Sequence, residues 1–141
     1  MSIVKRTIDG ATAQRMIEAA IAKARELRKA MCVAIVNDAG QLKAFHAMDG
    51  APHIAIQISQ DKAWTASSFG IATHVWWDFI KNDPPLLHGI VHTPRLTTFG
   101  GGYPVMEDGQ MTGAIGVSGG HYSDDMEVAR AALEAVGAPV A

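Results

Sequence analysis

Phe99-Gly100-Gly101-Gly102-Tyr103-Pro104-Val105, then Asp108-Gly109, then Gly113-Ala114-Ile115-Gly116-Val117-Ser118-Gly119-Gly120 and Asp124-Asp125, is the stretch on which the fold turns. Two short β-prone runs flank an Asp-Gly turn and an amphipathic tail follows, which reads as strand, turn, strand, glycine corner, helix. Glycine at this density marks places where a side chain would obstruct a close approach to the main chain. The triple-glycine loop, Gly100 to Gly102, is then either a tight turn or a backbone nest for a carboxylate. It is a better anion site than the following helix start, where Asp124 and Asp125 compete with any anion.

Ser123 or Asp124 is the expected cap of that last helix, with Glu127 completing a capping box after Asp124; Val128, Ala132, Leu133 and Val136 turn inward and Gly137 is the stop. Upstream, Ala13, Met16, Ile17, Ala20, Ile21, Ala24 and Leu27 recur at three and four residues opposite Arg15, Glu18, Lys23, Arg25 and Glu26, the pattern of an amphipathic helix. Met31 to Val36 is a nearly continuous apolar run, Asn37-Asp38-Ala39-Gly40 supplies a turn, and Gln41 to Met48 alternates, so a β-hairpin fits. Ile54, Ile56 and Ile58 alternate as in a strand, whereas Ile58, Ala63, Ala66 and Phe69 fit a helix loosely; local pattern leaves this segment open. Thr73 is the expected cap of a short helix carrying Val75, Trp76, Phe79 and Ile80, Pro84-Pro85 prevents its continuation, and a loop is expected from Leu86 to about Thr98. The order of elements gives an α+β class, with helices covering an antiparallel sheet in one domain of 141 residues.

Twelve Lys and Arg against 14 Asp and Glu give a formal net charge of −2, and the basic residues are dispersed, which argues against a nucleic-acid partner. No apolar run approaches the roughly 18 to 20 residues that span a bilayer. The start, Met1-Ser2-Ile3-Val4-Lys5-Arg6, has no apolar stretch after its basic pair, as a secretory signal requires. A cytoplasmic protein with no membrane partner is expected. The lone cysteine, Cys32, lies in an apolar run and reads as a small core residue.

Gly116-Val117-Ser118-Gly119-Gly120 matches the G-x-S-x-G of a nucleophile elbow, but His121 is too near in sequence to fold back as its base, and a glycine corner between strand and helix is preferred. His88 and His92 have the i, i+4 spacing of a zinc pair; Gly89 and Pro94 oppose a helix there, and no metal site is assigned. His74 with Asp78 reads as an exposed helical pair. His46, His53, His92 and His121 lie beside predicted strand ends or turns, and His46, His92 and His121 are the acid/base candidates. Lys62 stands in a low-charge stretch, where a lysine should either snorkel or meet a carboxylate such as Asp49. With Arg95, Tyr103 and Gly100, Gly101 and Gly102, these two complete a ligand-binding set for an anion or small molecule.

Five segments in order, Ala34-Ile35-Val36-Asn37-Asp38-Ala39-Gly40, Met48-Asp49-Gly50-Ala51, Lys62-Ala63-Trp64-Thr65-Ala66, Gly101-Gly102-Tyr103-Pro104-Val105 and Gly113-Ala114-Ile115-Gly116-Val117-Ser118-Gly119, resemble the GlcG/HbpS family over nearly the whole chain. The resemblance implies a five-stranded antiparallel sheet flanked by helices, makes Ile54 to Phe69 helical, and implies a homo-oligomer that binds a small molecule, with haem as the cofactor to be bound or degraded. Members often carry an arginine just before Met-Asp-Gly, where this chain has His46-Ala47, and an acidic residue where it has Met126. Exchanging a fixed cation for an imidazole changes which anion a pocket accepts. Two functions are expected in turn. The first is haem binding or degradation, with a His, Cys32 or a Met near iron and Trp and Met side chains against the macrocycle. The alternative is a cofactor-independent hydrolase or isomerase acting on a small carboxylate or aromatic catabolite, with His46, His92 or His121 as acid or base.

Overall fold

A computed structural model describes residues 1–140. The chain runs α1 (Gly10–Glu26), β1 (Cys32–Asn37), β2 (Leu42–Ala47), α2 (Ile54–Phe69), α3 (Val75–Ile80), α4 (Pro84–Gly89), a 3-10 turn (Ile90–His92), β3 (Gly102–Glu107), β4 (Gln110–Ser118) and α5 (Tyr122–Ala135). The strands form one sheet in the order β2-β1-β4-β3, every neighbouring pair antiparallel. It has four strands where five were expected. The residues before α1 approach the start of β4 with one hydrogen bond, Ile8 N–H to Thr112 O at 2.9 Å, without extending into a ladder.

Composition assigns the two faces of the sheet. Val33, Ile35, Tyr103, Val105, Ile115 and Val117 point to one side and bury against Met16, Ile17 and Ala20 of α1 and Val128, Ala132 and Leu133 of α5. On the other side Ala34, Gly116 and Gly102 pair in one row across β1, β4 and β3. That row is a smooth floor for α2, which sets Ala63 and Ala66 on it. A Cβ on Gly116 would strike Ser59 O, and one on Gly102 would lie 2.5 Å from Lys62 O, so the floor admits the helix only because those side chains are missing. The ambiguity of Ile54 to Phe69 has the same origin. Small and polar residues face the sheet, while Ile54, Ile56 and Phe69 stay exposed, which blurs the helical stripe.

Asp108 and Gly109 close the β3–β4 hairpin with φ of 49° and 76°, the left-handed pair that a tight hairpin turn requires. Three local expectations are corrected. Pro84 and Pro85 begin α4 instead of preceding a loop, because the first helical N–H groups have no intrahelical partner to lose; Asp83 caps it from Leu86 N–H at 3.4 Å. Thr73 does not cap α3: its hydroxyl accepts Gly102 N–H at 3.0 Å. The cap of α5 is His121, whose Nδ1 accepts Ser123 N–H at 3.2 Å, and Asp125 is turned inward. Among the described residues no helix is long and apolar enough to cross a membrane.

Candidate functional site

Beneath the meeting point of α2, β4 and α5 lies a buried ion pair. Lys62 Nζ donates to Asp125 Oδ2 at 2.8 Å and to Val117 O at 2.9 Å, and Asp125 Oδ1 accepts Gly120 N–H at 3.1 Å. Both side chains are essentially inaccessible, at 0% and 2% exposure. Lys62 does not snorkel, and the carboxylate it meets is not Asp49, which is exposed elsewhere, but Asp125, which the sequence offered as a helix-start charge. Burial pushes the Lys62 amine down and the Asp125 carboxyl up from their ordinary values, each opposed by the other's charge. Phe99 covers the pair, its ring centre 4.9 Å from Lys62 Nζ.

Above this cover Phe99 and Tyr122 stand half out of the surface, at 45% and 49% exposure, and each borders two recesses. The first, of about 360 Å³, has Ile54, Ile58, Ser118 and His121 in its walls. The second, of about 440 Å³, has His74, Trp77, Thr98 and Gly100. Each falls in the range of small-molecule pockets, which are mainly apolar with a few polar groups. Ser118 is no elbow with a base, since His121 Nδ1 is engaged with Ser123, 2.9 Å from its Oγ.

His74 is not the exposed partner of Asp78 that the sequence suggested. Its Nδ1 is buried with no hydrogen-bond partner, and its ring lies 5.7 Å from that of Tyr103. Burial first, then the charge of Arg130, lower its pKa, with Asp78 opposing. A histidine depressed in the folded state contributes stability that is present above its unfolded value near 6.5 and lost as pH falls through the folded value. Urea unfolding at pH 7.5 and at lower pH should therefore show a loss in the wild type that is smaller in His74→Phe; equal losses would remove the assignment.

The triple glycine is not an open nest. A Cβ on Gly101 would lie 2.6 Å from Val117 O and 2.7 Å from Lys62 Nζ, and one on Gly100 would strike Met126. The main chain is spent within the fold: Gly101 O accepts Val117 N–H at 2.9 Å, and Gly102 exchanges hydrogen bonds with Thr73. Of the three, Gly100 borders a recess. Tyr103 is buried, its hydroxyl accepting from Arg130 at 3.4 Å. Arg95 lies on the outer side of α2, bound to Asp61 at 3.1 Å and over the Trp64 ring at 5.1 Å. His46 and Asp49 share a separate recess of about 340 Å³, to which α1 contributes Arg25, a cation from an element the sequence did not connect to Met-Asp-Gly. His92 is exposed in the 3-10 turn. The three candidate acid/base histidines thus occupy three separate places. Sequence reasoning missed Phe99, Tyr122, Trp77 and His74 as site residues because an aromatic or helical histidine signals nothing until tertiary structure leaves it at a recess.

Known proteins share this fold. Residues 8–134 match a family model described as haem degrading protein HbpS-like. The chain belongs to the HbpS-like family. It is 37% identical over 109 residues to protein GlcG of Escherichia coli K12, covering 74% of this chain and 79% of GlcG. It is 32% identical over 123 residues to the corrinoid adenosyltransferase PduO of Salmonella typhimurium, covering 86% of this chain but spanning only 37% of PduO. The crystal structure of Klebsiella pneumoniae protein ORFY superposes with a TM-score of 0.91 at 35% identity, covering 99% of this chain and 97% of that one. A PduOC–haem complex superposes at 0.87 with 29% identity, covering 94% and 97%.

Proposed function

We propose that this HbpS-like chain is a small-molecule-binding protein whose ligand is haem, held in the paired recess around Phe99 and Tyr122. The observation that carries the reading is the pair of half-exposed aromatic rings between two recesses with Ile54, Ile58 and Trp77 in their walls. Apolar surface left in water is unfavourable by about 25 cal/mol per Å², and a flat macrocycle is the shape that covers two such rings at once. The residues present suit the group: aromatic and aliphatic side chains for its faces, and an imidazole in each recess, the side chain that commonly ligates haem iron. The relative PduOC, solved as a haem complex, supports the same class of ligand.

Titration with hemin tests this. A Soret band that shifts and saturates at a fixed stoichiometry is expected. Tyr122→Ala should weaken binding on the order of tenfold, the equivalent of about 1.4 kcal/mol of lost contact. A linear, featureless response matching hemin in buffer would contradict the reading.

A further inference from the structure

Resting on the haem reading, we infer that His74, through Nε2, is the side chain that ligates the metal of the bound macrocycle. His74 precedes α3 and lies on the wall of the second recess beside Trp77, Phe99 and Tyr122. Its ring makes no hydrogen bond to the protein, and Nδ1 is enclosed without a partner. Nε2 has no hydrogen-bond partner either and, unlike the enclosed Nδ1, is not sealed from solvent, so it is the nitrogen that a ligand in the recess can reach.

Three other donors are spent. His121 Nδ1 accepts Ser123 N–H as the cap of α5, which places the proton of a neutral ring on Nε2 and leaves that nitrogen no lone pair. Cys32 is wholly buried in β1. Met126 is packed onto the main chain of Gly100. Ligation through Nε2 requires the proton of the neutral His74 ring to sit on the enclosed Nδ1. With no acceptor for its Nδ1–H, the imidazole is a modest donor, so its loss costs about tenfold in affinity and not several orders of magnitude.

The full-length chain, His74→Ala, His74→Phe and His92→Ala are titrated with hemin and with metal-free protoporphyrin IX, each variant checked for folding by circular dichroism. Both His74 variants are expected to weaken hemin about tenfold and to shift the Soret maximum, while leaving protoporphyrin affinity within about twofold of wild type. Free imidazole should return the His74→Ala Soret maximum to the wild-type position. His92→Ala, in the exposed 3-10 turn outside both recesses, should keep the wild-type hemin spectrum. An unchanged hemin spectrum and affinity in the His74 variants overturns the assignment alone, as does an equal loss for both porphyrins, which marks a packing role. Wild-type protein that binds neither porphyrin overturns the haem reading and this inference together.

Discussion

Replacing Lys62 by methionine lowers the free energy of unfolding by about 3–5 kcal/mol, because it strands the Asp125 carboxylate where neither water nor a cation reaches it. Asp125→Leu strands the amine instead and should cost a similar amount. The double variant Lys62→Met/Asp125→Leu removes both charges from the interior and should recover to within about 1 kcal/mol of wild type, or exceed it, since a well-packed apolar pair escapes the desolvation penalty. The pH dependence has a definite sign. Burial raises the pKa of Asp125, and a raised carboxyl contributes stability that is present below its unfolded value of 3.8 and lost as pH rises through the folded value. Without Lys62 to oppose that rise, the deficit of Lys62→Met should shrink steadily as pH is lowered and Asp125 takes up its proton. Urea denaturation across that range checks both statements. A deficit under about 1 kcal/mol at neutral pH would show that the pair does not tie α2 to β4 and α5 as described.

Gly116→Ala should be still harder for the fold to accept. The added methyl would meet Ser59 O and lie 2.5 Å from Ala63 N, and backbone of a packed helix has no rotamer by which to retreat. Overpacking of a core commonly costs about 1–3 kcal/mol, and this contact, with main chain on the receiving side, is expected at or above about 3 kcal/mol. Gly102→Ala, one strand away in the same row, should behave alike. Gly10→Ala is the control: nothing lies within 4 Å of where its methyl would stand at the start of α1, and it should be neutral or stabilising by up to about 1 kcal/mol. Thermal unfolding of the three variants decides the matter, and a Gly116→Ala protein as stable as wild type would contradict the seating of α2 on the sheet.

Both expectations bear on what can be read from the chain beforehand. Strands, hairpins and the two amphipathic helices are legible because apolar periodicity and Asp-Gly or Asn-Asp-Ala-Gly turns are local signals, and Met16, Ile17, Val128 and Leu133 do face the core. The density of glycine is legible as close approach, but what approaches is not: the sequence leaves a tight turn or a ligand open at Gly100 to Gly102, whereas α2 fills the space at Gly102 and Gly116 and Met126 fills it at Gly100. That Lys62 must either snorkel or meet a carboxylate is legible too, yet the partner it takes stands 63 residues away, beyond any local pattern. Pro84-Pro85 closes the preceding helical pattern and so resembles a terminator, although the same two residues begin α4. The recess itself is invisible in the sequence, since Phe99 and Tyr122 border it from separate elements and neither belongs to a chemical motif.

A crystal structure of the chain with hemin would probe the functional reading most directly. The macrocycle should lie against Phe99 and Tyr122, with its metal at His74. A macrocycle lodged instead in the recess of Arg25, His46 and Asp49, or none bound at saturating hemin, would contradict the reading.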